Sequence, residues 1–155
     1  MYTLLPLCAV PHLVKDTVDL WNSIERNWQP EEFYFLKKVI NHLTFNDPYI
    51  LVALLKDELT KQLTLPLGVV CLEHHIVTEP RFVKREYWLT SLAVAPSRRG
   101  LGIAAELVQR LEQIALGYGA PYIKLETSSP ELTKYYEALG YSKIDIPNVM
   151  IKHLM

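Results

Sequence analysis

Val94-Ala95-Pro96-Ser97-Arg98-Arg99-Gly100-Leu101-Gly102-Ile103-Ala104-Ala105 is the stretch on which the reading of the fold turns. Just before it, Tyr87 to Val94 is a short apolar and aromatic run that reads as a strand. Just after it, Ile103, Leu107, Val108, Leu111, Ile114 and Ala115 recur at helical spacing and form one apolar stripe. Gly102 to Tyr118 therefore reads as a helix, punctuated at its end by Gly117 and Gly119. A strand thus runs into a helix across a turn that holds Gly100 and Gly102. The first turn of such a helix has unpaired amides and the positive end of the helix dipole. Glycines let that backbone approach an anion with no Cβ in the way. Arg98 and Arg99 add two cations, so the loop is a candidate pyrophosphate cradle. Glycines at a strand-to-helix turn also serve conformation alone. The loop is not a Walker sequence, because no Gly-Lys-Ser/Thr follows, and it lacks the G-x-G-x-x-G spacing.

Outward from this loop the chain alternates strand and helix signals. Tyr2 to Leu7 reads as a first strand, and His12 to Trp28 as a helix with Leu13, Val14, Val18, Leu20, Trp21 and Ile24 at helical spacing. Pro30 ends it, and Glu31 to Asn41 reads as a second helix whose acids suit an N-terminus. Strands are expected at Tyr49–Lys56, Leu67–Ile76 and Tyr87–Val94, with the polar, proline-containing Val77–Arg85 as a hairpin loop. Tyr122–Thr127 reads as a strand, Pro130–Leu139 as a helix stopped by Gly140, and Ser142–Leu154 as one or two closing strands. The order βααβββαβαβ is that of a mixed α/β sheet with helices on its faces.

The 155 residues suit one compact domain, 1–155, and half of them are hydrophobic, enough for a real core. A formal net charge of -1 provides no global field for nucleic acid or a membrane surface, so a partner must be recognised locally. No run of about 18 apolar residues is present to span a bilayer. Met1–Val10 is short, lacks a basic start and is broken by Pro6, so it does not read as a signal peptide. Cys8 and Cys71 do not suggest a disulfide framework, and a reducing, cytoplasmic setting is the simpler expectation. His12, His42 and His153 have no metal-ligand spacing, and no metal site is expected.

Arg99-x-x-Gly102-x-Ala104 fits Gln/Arg-x-x-Gly-x-Gly/Ala, the acetyl-CoA signature of the GNAT superfamily of N-acetyltransferases. Leu89-Thr90-Ser91-Leu92-Ala93-Val94 resembles the fourth strand of that family. Tyr135-Tyr136-Glu137-Ala138-Leu139-Gly140-Tyr141 resembles its late helix with a Leu-Gly-Phe/Tyr stop. The three occur in the family's order and at its spacing, over Tyr87 to Tyr141. The resemblance implies a GNAT fold of the α+β kind, with a mixed central sheet of six to seven strands and about four helices on both faces. Its fourth and fifth strands would be splayed. It further implies acetyl-CoA as acetyl donor, with the pyrophosphate on Arg99, Gly100, Leu101, Gly102, Ile103 and Ala104. The backbone of Leu92, Ala93 and Val94 would lie beside the pantetheine arm like an added strand. The Leu92 N–H would polarise the thioester carbonyl. Ser129 stands where many relatives place Asn.

For the transfer itself, the resemblance places Tyr136 near the thioester sulfur. A tyrosine's reference pKa is about 10 against about 8.5 for a thiol, so a hydrogen bond to the developing thiolate suits it better than full proton transfer. Many relatives carry an acid or tyrosine at the position that is Trp88 here, and Trp88 cannot act as a base. Glu86 shares its face in an unbroken strand. Glu86, then His74, then Glu73 are the candidate bases, and Lys124 reads as part of a solvated face.

Leu89–Val94 and its loop look like those of protein N-terminal acetyltransferases. Val10-Pro11-His12-Leu13, Asp19-Leu20-Trp21 and Trp28 with Pro30 are weakly similar to the actin-type members. The expected acceptor is a protein or peptide N-terminal α-amine. The alternatives are a small-molecule amine (polyamine, amino acid or aminoglycoside) or a non-catalytic acetyl-CoA-binding module. Arg81, Lys84 and Arg85 make a basic rim suited to an acidic peptide.

Overall fold

A computed structural model describes residues 1–24 and 34–155. The strands are β1 (Tyr2–Pro6), β2 (Tyr49–Lys56), β3 (Leu63–Glu79), β4 (Phe82–Val94), β5 (Tyr122–Glu126), β6 (Ser142–Lys143) and β7 (Val149–His153). The helices are α1 (Val14–Ile24), α2 (Tyr34–Phe45), α3 (Ile103–Gly117) and α4 (Pro130–Ala138). The expected end of the first helix over 25–28, its stop at Pro30 and the start of the second helix at Glu31 lie outside the described residues. Among those described, the strands form one sheet in the order β1-β2-β3-β4-β5-β7-β6. Every neighbouring pair is antiparallel except β4 with β5. This is the mixed α+β architecture that the resemblance implies. No helix of the described residues is long and apolar enough to cross a membrane.

Strand alternation sends side chains to two cores. On one face Val70, Leu72, Tyr87 and Leu89 meet Ile103, Leu107, Val108 and Leu111 of α3 and Tyr136 of α4. On the other, Val52, Val69, Cys71 and Ala93 meet Leu13 and Trp21 of the α1 region and Phe35 and Val39 of α2. Burying one such aliphatic side chain contributes about 1.5–3 kcal/mol, so each stripe fixes its helix to the sheet. Trp21 stacks on Phe35 with ring centroids 4.7 Å apart, which joins α1 to α2. His42 anchors α2 at its far end, where Nε2 accepts from the Cys8 amide at 3.0 Å and Nδ1 lies 3.0 Å from the Pro48 carbonyl. Burial holds the His42 imidazole below its usual pKa.

The segment expected as a hairpin loop is mostly strand. β3 and β4 pair out to Glu79 and Phe82, and only Pro80 and Arg81 make the turn. Its polarity has a structural cause, because a two-stranded ribbon that projects past the sheet has no core face to make it apolar. Ile76, Phe82 and Val83 are exposed there.

α3 packs tightly over Gly68 of β3. A Cβ there would stand 3.0 Å from Leu107 Cδ1, 3.3 Å from Ile103 Cγ2 and 3.3 Å from the Ala93 carbonyl. Gly68→Val is therefore expected to destabilise the protein by about 1–3 kcal/mol through overpacking. A lower urea midpoint with an unchanged slope is the expected reading.

Candidate active site

The ladder between β3 and β4 slips once. Val69 pairs with Ala93 and Cys71 with Thr90, so Ser91 and Leu92 together face Val70 alone. Ser91 adopts φ 55, in the left-handed region. An extra residue of this kind bends its strand and ends regular pairing. On its other side β4 pairs with β5 at only two positions, Tyr87 with Ile123 and Trp88 with Lys124. From Leu89 onward the two strands diverge and leave a cleft of about 670 Å³, lined by residues that include Trp88, Thr90, Leu92, Ser129 and Tyr136.

The arginine-glycine loop follows the splayed end of β4. Gly100 and Gly102 have φ 81 and 84, and nothing lies within 4 Å of where their Cβ atoms would be. Gly102 is the N-cap of α3, and the helical ladder begins with the Glu106 amide on the Gly102 carbonyl at 3.1 Å. The amides of Ile103, Ala104 and Ala105 precede that bond and have no intrahelical acceptor. They and the open glycines make a run of backbone donors that follows the end of β4. Arg99 Nε donates to the Val94 carbonyl at 3.2 Å, which ties the loop to the end of β4.

Tyr136 lines the cleft from α4, its ring edge-on to Tyr135 and Tyr141. Tyr141 is fixed by donating to Glu112 at 2.9 Å, and burial, then the Glu112 charge, push its phenol pKa far up. Ser129 caps α4, its hydroxyl accepting from the Leu132 amide at 3.3 Å, which leaves the hydroxyl proton for another acceptor. The buried Thr90 Oγ1 has no hydrogen-bond partner among the described residues. A buried hydroxyl left so is a place for a water or ligand atom.

Glu86 lies in the cleft wall, only 8% exposed. Its Oε2 accepts from Lys124 Nζ at 2.7 Å and from the Tyr122 hydroxyl at 2.9 Å. Burial alone would raise its pKa, but those two hydrogen bonds and the charges of Lys124 and Lys84 outweigh burial and hold it below the usual carboxylate value. Lys124 is thus not on a solvated face. Its side chain is 14% exposed, with Nζ 5.7 Å from the Trp88 ring centre, because its partner comes from the adjacent strand. His74 faces the opposite side of the sheet, with Nδ1 3.3 Å from Asp47 and its ring beside Tyr87, and does not line the cleft. Glu73 is bonded to Lys38 at 3.4 Å. His75, which pairs with Glu86 and sits edge-on to Trp88, does line the cleft. Period-two alternation from Glu86 across the hairpin is the signal in the sequence that points to it. Among the described residues, no three His, Cys, Asp or Glu side chains gather as a metal site.

The model of the "Acetyltransferase (GNAT) family" matches residues 14–141. A chain in the crystal structure of the NatC complex bound to Gag peptide and CoA is 17% identical, with 99% of each chain covered and a TM-score of 0.73. A GNAT-family acetyltransferase of Staphylococcus aureus Mu50 is 14% identical, with both chains fully covered and a TM-score of 0.73. A GNAT-family acetyltransferase of Brucella melitensis in complex with acetyl-CoA is 16% identical, with 99% of this chain and 88% of that chain covered and a TM-score of 0.70. At such identities the structural likeness speaks for the fold.

The Glu86 pair has a pH signature. A carboxyl with a depressed folded pKa contributes stability above its unfolded value, about 4.3, and that contribution is lost as pH falls through the folded value. Glu86→Gln is expected to flatten this acid limb in urea titrations run at successive pH values. Lys124→Met leaves the carboxylate buried without its cation and is expected to cost about 2 kcal/mol or more at pH 7.

Proposed function

The chain belongs to the GNAT acetyltransferase family, an acyltransferase family, and on that premise we propose that it moves the acetyl group of acetyl-CoA to the α-amine of a protein or peptide N-terminus. Residues 1–155 act in this reading as one catalytic domain in the cytoplasm. The donor's pyrophosphate takes the amides and open glycines from Arg99 through Ala104, and its arm follows the unpaired edge of β4 at Leu92, Ala93 and Val94. Ser129 offers its hydroxyl proton to the same molecule. The amine nitrogen attacks the thioester carbon, and the carbonyl oxygen gathers charge against the Leu92 N–H. The C–S bond then breaks, and the departing sulfur takes a hydrogen bond from the Tyr136 hydroxyl.

The observation that carries the choice of acceptor is the state of Glu86. Its carboxylate is bound by Lys124 and Tyr122 and held ionised, which makes it a weak base. Trp88 beside it offers no base at all. A site of this kind suits an amine that already sheds its proton near neutral pH. The reference pKa is about 7.7–8.0 for an α-amine and about 10.4 for lysine, a difference of about 3.5 kcal/mol in deprotonation at pH 7. Water relays the amine's proton, with Glu86 at the edge of that relay; His74 would reach it only by leaving the opposite face. A polycationic small molecule gains less here, since Lys124 neutralises Glu86. Arg81, Lys84 and Arg85 are exposed on the projecting hairpin and suit an acidic peptide. Trp88 is the one observation that favours a donor-binding module without catalysis.

Free-thiol release from acetyl-CoA, measured against acidic and neutral N-terminal peptides, lysine peptides and polyamines, tests the reading. Turnover is expected on N-terminal peptides, with acidic ones best. Turnover confined to polyamines, or binding of acetyl-CoA with no acceptor acetylated, would overturn it. Tyr136→Phe is expected to lower kcat at least about tenfold. Gly102→Val, which puts a β-branched residue at φ 84 and a side chain among the donor amides, is expected to weaken acetyl-CoA binding at least about tenfold by calorimetry. Charge reversal at Arg81 and Lys84 is expected to raise KM for acidic peptides only.

A further inference from the structure

Two helices converge on one residue of the β4 bulge. Trp21 of α1 is fully buried, and its Nε1 donates to the Ser91 carbonyl at 2.8 Å. Lys38 of α2, only 7% exposed, donates to Ser91 Oγ at 2.8 Å and to Glu73 at 3.4 Å. Ser91 is the residue with φ 55. A non-glycine residue in that region persists only where its surroundings over-determine it. Here the main-chain oxygen and the side-chain oxygen are both held, each from a different helix.

The Ser91 carbonyl and the Leu92 N–H belong to one planar trans peptide. A trans unit sends its N–H opposite to its C=O. Because the carbonyl points to Trp21 on the α1 face, the Leu92 N–H is directed toward the other side, where Tyr136 lies. Donation to the carbonyl also polarises the peptide and strengthens its N–H as a donor. Trp21 packs in the core of α1 and α2, whereas Tyr136 and the start of α3 pack in the core of the opposite face.

We propose that Trp21 and Lys38 are positioning residues for acetyl transfer, clamping the Ser91–Leu92 peptide so that the Leu92 N–H meets the thioester oxygen as charge develops on it. This rests on the proposed function. The clamp acts on the transition state more than on donor binding, so its loss falls on kcat rather than on KM. It also ties α1 and α2, which cover the Trp88 side of the sheet, to the donor side through a single rigid group.

The variants are Trp21→Phe, which keeps the ring but removes the donor, Ser91→Ala, Lys38→Met and Lys38→Arg. Each is measured by thiol release with the best acceptor peptide, by acetyl-CoA calorimetry, and by the Leu92 amide resonance in the chain without donor. Trp21→Phe is expected to lower kcat at least about tenfold, to leave KM for acetyl-CoA within about threefold, and to move the Leu92 amide proton upfield. Ser91→Ala and Lys38→Met are expected to lower kcat alike and to be non-additive when combined, while Lys38→Arg restores most of the rate. Folded Trp21→Phe and Ser91→Ala proteins with kcat within about twofold of the parent and an unmoved Leu92 resonance would overturn the clamp alone. Should Trp21→Phe fail to fold, Ser91→Ala, which removes one oxygen, decides. A parent chain that binds acetyl-CoA yet acetylates nothing would overturn the functional reading, and the clamp with it.

Discussion

Two residues of β4, Ser91 and Leu92, face the single residue Val70 of β3, and the cleft depends on that mismatch. An antiparallel ladder tolerates an extra residue only by bending the strand that carries it. β4 therefore leaves β5 after two paired positions, and among the described residues its outer edge runs on toward Val94 with no strand beside it. Backbone donors and acceptors in such a position need partners. The chain then turns through Gly100 and Gly102, where the first amides of α3 are also without intrahelical acceptors. One bulge and one helix start thus place two sets of unsatisfied backbone groups end to end.

Two polar networks flank the gap and do different work. Behind Tyr136, Glu112 accepts from Tyr141 and from Lys152, and Lys152 also donates to the Leu139 carbonyl, all within 2.9 Å. That network locks the end of α4 onto β7 and α3, and it fixes the aromatic wall against which the Tyr136 ring stands edge-on. On the opposite face, Lys124 neutralises Glu86 beside Trp88, and the Tyr122 hydroxyl donates to the same carboxylate. A carboxylate so satisfied makes a firm wall and a poor proton acceptor.

The glycine loop and the α3 stripe are legible in the sequence because both are local signals. The loop needs only its neighbours, and Ile103, Leu107 and Leu111 repeat at a period that no strand has. The bulge is not legible from the residues themselves. A serine occupies the left-handed position where glycine or asparagine would have marked it, and the hydrogen bonds that hold it come from Trp21 and Lys38, 70 and 53 residues away in sequence. Only the resemblance points there. Lys124 departs from its expected solvated face for the same reason, since its partner Glu86 lies 38 residues off. The long hairpin departs from the expected loop for the converse reason: with no core above or below it, its side chains carry no alternation to read. His74 and His75 are adjacent, and strand parity alone decides which of them enters the cleft, so the register of β3 against β4 has to be known first.

The two faces of the sheet carry separate cores in this molecule. Side chains on β3 alternate, so α3 and α4 pack on one set and α1 and α2 on the other. A backbone peptide is the exception, because its oxygen and its hydrogen point to opposite sides of one rigid plane. In a regular strand those groups are spent on neighbouring strands and lie within the sheet. At a bulge they rotate out of it, and the Ser91 carbonyl is free to take the Trp21 indole. The residue that breaks the ladder is therefore also the residue through which helices on one side can set the direction of a donor on the other. That irregular residue is accordingly pinned at both its oxygens, by Trp21 from α1 and by Lys38 from α2.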